Sequence, residues 1–209
     1  MRQATRITAM LLGMFAGLGG PEHGYFELLQ GNIKPSGLMI SAIGLPCQPD
    51  LVWNRCEPAM TILPTFWWAG LASIIIGVIT MIWAAVFIHR KNGPLGMILL
   101  CIALLLAGGG LFPPLIGIIT SIFASRIHAP LSGNASPLIR LLAKLWPWIL
   151  SAFFVWVFGQ FLIGYYFNDW LQRMSFLVPL LVISLLALSM LCAIARDKVN
   201  ADLVNGESK

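Results

Sequence analysis

Charge is what this chain has least of. Only 10% of its 209 residues are Asp, Glu, Lys or Arg, and eight are acidic. Soluble domains carry roughly a quarter charged residues. A domain of this size still leaves roughly a quarter to a third of its surface wet. With 58% apolar residues and a mean hydropathy of +0.85, the chain cannot hide its apolar surface inside a 22.9 kDa globule. That excludes an ordinary soluble enzyme, a nucleic-acid-binding module and a disordered chain. The 13 Lys and Arg form no face or run, so the net charge of +5 is not the footprint of a nucleic-acid partner. Cysteine is scarce too. Four residues without a CxxC pair exclude a disulfide scaffold, a redox motif and a zinc ribbon. There is no GxxxxGK[ST], HExxH or GxSxG sequence. No cofactor is indicated and no metal site is legible.

What the chain has is long apolar blocks, and they predict an all-α, polytopic integral membrane helix bundle whose main partner is the lipid bilayer. A bilayer core of about 30 Å needs about 20 apolar helical residues. The blocks are 7–29, 61–88, 95–125, 145–167 and 175–195. They sit in a single membrane domain, 1–198, followed by a polar tail, 199–209, read as cytoplasmic and disordered.

The third block is too long for one straight span, which would measure about 46 Å and need a tilt of about 50°. Its middle reads Gly108-Gly109-Gly110-Leu111-Phe112-Pro113-Pro114. Three glycines and two prolines predict a helix break. The block is therefore read as a hairpin of two short arms, 95–109 and 114–125, giving six segments; arms this short leave open whether the hairpin spans or is re-entrant.

Charge placement supports the hairpin. With the N-terminus cytoplasmic, the inside holds Arg2, Arg6, Arg90, Lys91, Arg126, Arg140, Lys144, Arg196, Lys198 and Lys209, and the outside Lys34, Arg55 and Arg173. Ten against three is the positive-inside pattern. A single long third helix reverses it to five against eight. The expectation is a cell (inner or plasma) membrane protein with both termini in the cytoplasm. Arg2 and Arg6 before an apolar run also resemble a signal peptide, but no clean cleavage site follows, and an uncleaved first helix is the preferred reading.

The longest outer connection is 30–60. Cys47 and Cys56 lie nine positions apart within it and are expected to be bonded on the oxidising side, where a loop of this size gains roughly 2–3 kcal/mol. Cys101 and Cys192, in apolar helices, read as packing residues.

Ionisable groups at membrane depth are costly and mark function by default. Glu22, His23 and Glu27 stand at the outer end of the first block, and a helix there puts His23, Glu27 and Gln30 on one face. A histidine among carboxylates suits proton relay or metal binding; the plainer alternative, favoured two to one on the sequence, is an ion pair anchoring the outer loop. Pro21 and its glycines threaten to break the helix at this point. Gln160 is read as interhelical glue. Gly13, Gly17, Gly20 and Gly24 form a small-residue stripe that admits a close neighbour, in this chain or a second copy.

Three functional classes follow. The leading one is a non-enzymatic protein that interacts or assembles, as a homo-oligomer or with other membrane subunits, through the glycine stripe and outer loop. The second is a small-solute or ion transporter or channel subunit with a cavity at the Gly108–Pro114 break. The third is a membrane enzyme using Glu22, His23 and Glu27.

Overall fold

The computed structural model describes residues 1–41, 53–54, 57–131 and 135–207, of which 75% are helical. In chain order the elements are α1 (Gln3–Gln30), β1 (Met39–Ser41), β2 (Pro58–Met60), α2 (Phe66–Val86), α3 (Gly93–Ala107), α4 (Phe112–Ala124), α5 (Pro137–Tyr166), α6 (Asn168–Arg173) and α7 (Leu177–Glu207). Three helices are long and apolar enough to cross a membrane: α2, α5 and the Leu177–Leu203 part of α7. The apolar helices α3 and α4 are shorter, about 22 and 20 Å. Helix α1 falls outside the long apolar set because its last third carries Glu22, His23 and Glu27.

The chain forms two compact units. One contains α1 from Ala9 onward, the two strands, α2, α3 and α4. Its tightest seam is glycine against glycine. A methyl group on Gly17 would fall 2.8 Å from the Gly77 carbonyl oxygen, and one on Gly24 would fall 2.6 Å from that of Gly70. Pro21 does not break α1, which runs on to Gln30. A proline inside a helix frees the carbonyl four residues earlier, here Gly17, and that oxygen faces the backbone of Gly77.

The connection between α1 and α2 includes a two-stranded antiparallel ribbon pairing Met39 with Met60 and Ser41 with Pro58, so the fold is not purely α-helical. Ile40 and Ala59 bury against Phe66 beneath it. Just after β2, the Ile62 N–H donates to the Leu106 carbonyl and the Thr61 hydroxyl to the Ala107 carbonyl, both at 3.0 Å. The last carbonyls of a helix lack intrahelical donors, and the ribbon supplies them for α3. Thr61 is thus extended rather than helical, and α2 begins after Thr65, whose hydroxyl caps Trp68 N–H.

The other unit contains the start of α1, then α5, α6 and α7. Helices α5 and α7 pack on each other, with Phe153 and Cys192 fully buried. Val155, Leu162 and Ile183 remain exposed. The Asp197 carboxylate on α7 accepts the backbone N–H groups of Ala4 and Thr5, each at 2.8 Å, and the Thr5 hydroxyl at 2.7 Å. It is an N-cap supplied from a distant residue, placing negative charge at the positive end of α1. Arg2 donates to the carbonyls of Ala129 (3.0 Å) and Pro130 (2.9 Å).

Two sequence-based boundaries need correction. The fifth segment starts at Pro137, not 145, because Ser136 caps Ile139 N–H and Pro137 occupies the first turn, where no donor is needed. The tail does not begin at 199; α7 continues to Glu207, and Asp202 accepts the backbone N–H of Ala135.

Candidate functional site

The polar C-terminal third of α1 is where the first unit concentrates its chemistry. Spacing of four residues puts His23 and Glu27 on one helical face, and both side chains are fully buried, at 0% exposure. None of their four polar atoms (Nδ1 and Nε2 of His23, both carboxyl oxygens of Glu27) has a hydrogen-bond partner. Buried side-chain polar atoms are nearly always paired, and each one left unpaired costs about 1–3 kcal/mol.

Three other parts of the unit close on this pair. From α2 comes Ser73, also fully buried. Its hydroxyl lies close enough to act on the Glu27 carboxyl, but with geometry short of a normal hydrogen bond. From the residue before β2 comes Glu57, whose Oε2 is 3.9 Å from His23 Nε2. That is an ion pair when the imidazole is protonated, and too long for a hydrogen bond. Glu57 is the wet edge of the site, its side chain 16% exposed. Burial, reinforced by the nearby Glu22 carboxylate, pushes Glu57 up to about 7.

The third part is the turn between α3 and α4. Gly108 and Gly110 have φ of +121° and +80°, a region that L side chains avoid. The turn reverses the chain between Ala107 and Phe112, and Pro113 and Pro114 fall in the first turn of α4 rather than in the break itself. Freedom from a Cβ also permits close approach. A methyl on Gly108 would fall 2.6 Å from Glu27 Oε2, and one on Gly110 would fall 2.7 Å from His23 Cδ2. The glycine turn therefore lies directly on the two buried ionisable groups.

Two features that the sequence presented as separate, the Glu22/His23/Glu27 cluster and the Gly108–Pro114 break, are one site. Gln30, at the end of α1, is only half buried. Gln160 belongs to the other unit, where it is buried with its carbonyl oxygen unpartnered. The glycines at 13, 17, 20 and 24 meet Ala84, Gly77 and Gly70 of α2, so this stripe is engaged within the chain. Cys47 and Cys56 lie outside the described residues. Cys101 and Cys192 are free and buried, as packing residues are. Among the described residues, no three His, Cys, Asp or Glu side chains are grouped to hold a metal ion.

Sequence reasoning missed Glu57, Ser73 and Asp197. Nothing in the periodicity of the 30–60 connection singles out Glu57, because a long-range strand pairing delivers it. The small partner residues carry a readable signal: Gly70, Gly77 and Ala84 recur every seven residues on α2. No family model, no curated protein and no solved structure matches this chain.

Proposed function

We propose that the chain is a multi-pass integral membrane protein of the cell membrane that acts as a small ion or solute carrier, or as a channel subunit, through the His23–Glu27 site. The observation that carries this reading is the burial of His23 and Glu27, without hydrogen-bond partners, under a break between two short helices. Ionisable groups at membrane depth mark ion pathways. Non-helical backbone at that depth is tolerated where it is buried in protein or lines a cavity, and broken helices carry the sites of many transporters.

In this reading both termini are cytoplasmic, as the positive-inside distribution favours. The α3–α4 hairpin enters from the cytoplasmic side and stops at the level of His23. Glu57 faces the outside. The assembly reading is weaker, because α2 occupies the glycine stripe on which a second copy would have docked.

The test is flux. The purified full chain, reconstituted in liposomes, is expected to dissipate an imposed Na⁺, K⁺ or H⁺ gradient faster than protein-free liposomes. Glu27→Gln should slow it at least tenfold. Liposomes no leakier with the protein than without it overturn the reading.

A further inference from the structure

We infer that the species this site binds is the proton, taken up from the outer solution by the cluster of Glu22, His23, Glu27 and Glu57. The inference rests on reading the site as an ion pathway and names what that pathway handles.

Charge count is the first argument. Three carboxyls and one imidazole are gathered where α1, the ribbon, α2 and the α3–α4 turn meet. Neither α2 nor α4 contains a titratable residue, and α3 contains only Cys101. Among the described residues, no lysine or arginine pairs with any of the four groups. Ionised side chains out of water each cost several kcal/mol unless paired. Glu22 and Glu57 keep partial contact with solvent, but the Glu27 carboxyl is sealed without a cationic partner, so the cluster holds a proton or another cation.

Space is the second argument, and it selects the proton. Gly108 and Gly110 lie against the carboxyl and the imidazole so closely that even a methyl group would overlap them. On the side covered by the turn there is no room for a hydrated ion or an organic cation. The ligand donors are also not grouped as a metal ion requires. A proton needs no volume. It forms an O–H or N–H bond on the group that receives it, and the O–H or N–H bond of the group that gives it up breaks, leaving the electron pair there.

Access is the third. Glu57 is the only one of the four attached to the outer ribbon and is partly exposed, while His23 and Glu27 are sealed. Loading begins at Glu57, the group that faces the imidazole, and continues to His23, 3.9 Å away.

Proton uptake by the full chain in detergent micelles, measured potentiometrically between pH 9 and pH 5, tests this. Glu27→Gln and Glu57→Gln keep side-chain shape, and each should take up about one proton fewer per chain than the native protein. Should either variant fail to fold, the native protein labelled with 13C-glutamate serves instead. Its infrared difference spectrum over that pH range should contain a protonated-carboxyl band that shifts with the label. Equal uptake by native protein and both variants, or no such band, overturns the inference. Ion flux without this proton uptake would leave the transport reading standing and sink the proton. Proton uptake in a protein that carries no flux would sink the transport reading and leave the proton site.

Discussion

Gly108 lies in direct contact with the carboxyl group of Glu27, 81 residues away from it in the helix that bears the buried charge. The contact sets the shape of the site, because the turn that carries Gly108 cannot take a larger residue without pushing the carboxyl aside. Its neighbour Gly110 holds the same relation to His23.

Substitution of these glycines separates strain from contact. Gly31 also has a positive φ (+72°), but a methyl there meets nothing within 4 Å. Gly31→Ala should therefore cost only the backbone term, about 1–2 kcal/mol. Gly110→Ala adds overlap with the His23 ring, and its total should reach about 2–4 kcal/mol. The expected result in detergent micelles is a Tm lowered roughly twice as much by Gly110→Ala as by Gly31→Ala. Equal shifts would show that the turn does not bear on His23.

The seam between α1 and α2 makes a second prediction. A side chain on Gly77 would meet the Gly17 carbonyl oxygen and Pro21 Cδ, each at 2.6 Å. Both neighbours are backbone or ring atoms that cannot swing away. Gly77→Val should destabilise the protein by about 2–3 kcal/mol. The mass of the protein–detergent complex should stay unchanged, because the contact is internal. A drop from a dimer to a monomer mass would place this stripe between copies instead.

Asp197 anchors the start of α1 from α7, and its loss should be local. Asp197→Ala removes the acceptor of two backbone N–H groups and one hydroxyl. Loss of a cap costs about 1–2 kcal/mol, and unpaired buried donors add to it. Hydrogen exchange should quicken at least tenfold at Ala4 and Thr5. Asp197→Asn, which keeps one acceptor oxygen, should fall between. Unchanged exchange in Asp197→Ala would show that the cap does not hold the helix.

Much of this architecture was readable before any coordinates. The apolar blocks located α2, α3, α4 and the apolar part of α7, since a continuous hydrophobic run is a local signal. The turn at 108–111 was readable because glycine and proline act on their own neighbourhood. Boundaries failed where polarity misled. Arg140 and Lys144 lower the hydropathy of the first turns of α5, although Ser136-Pro137 is itself a helix start signal. The site was half legible. His23 and Glu27 announced themselves as ionisable groups in an apolar chain. Glu57 and Gly108 reach them through strand pairing and hairpin closure, and no spacing in the sequence encodes which distant residues those bring together.

The pH dependence of stability is the prediction that bears most directly on the wet edge of the site. Burial, with the Glu22 carboxylate beside it, raises Glu57 from 4.5 to about 7 in the folded protein. Between those values the folded chain keeps a proton that the unfolded chain has released. Stability therefore falls as pH rises through this window. It is greatest below about pH 4.5 as far as this one group is concerned, and its contribution is lost above about pH 7. The full effect is on the order of 3 kcal/mol. Thermal melts of the native protein in detergent should show a Tm that declines from pH 5 to pH 8. Glu57→Gln should flatten that decline and be the more stable protein at pH 8, since an amide has no proton to lose. A native Tm that rises across this range, or a Glu57→Gln profile parallel to it, would show that the carboxyl is not held in its neutral form by the fold.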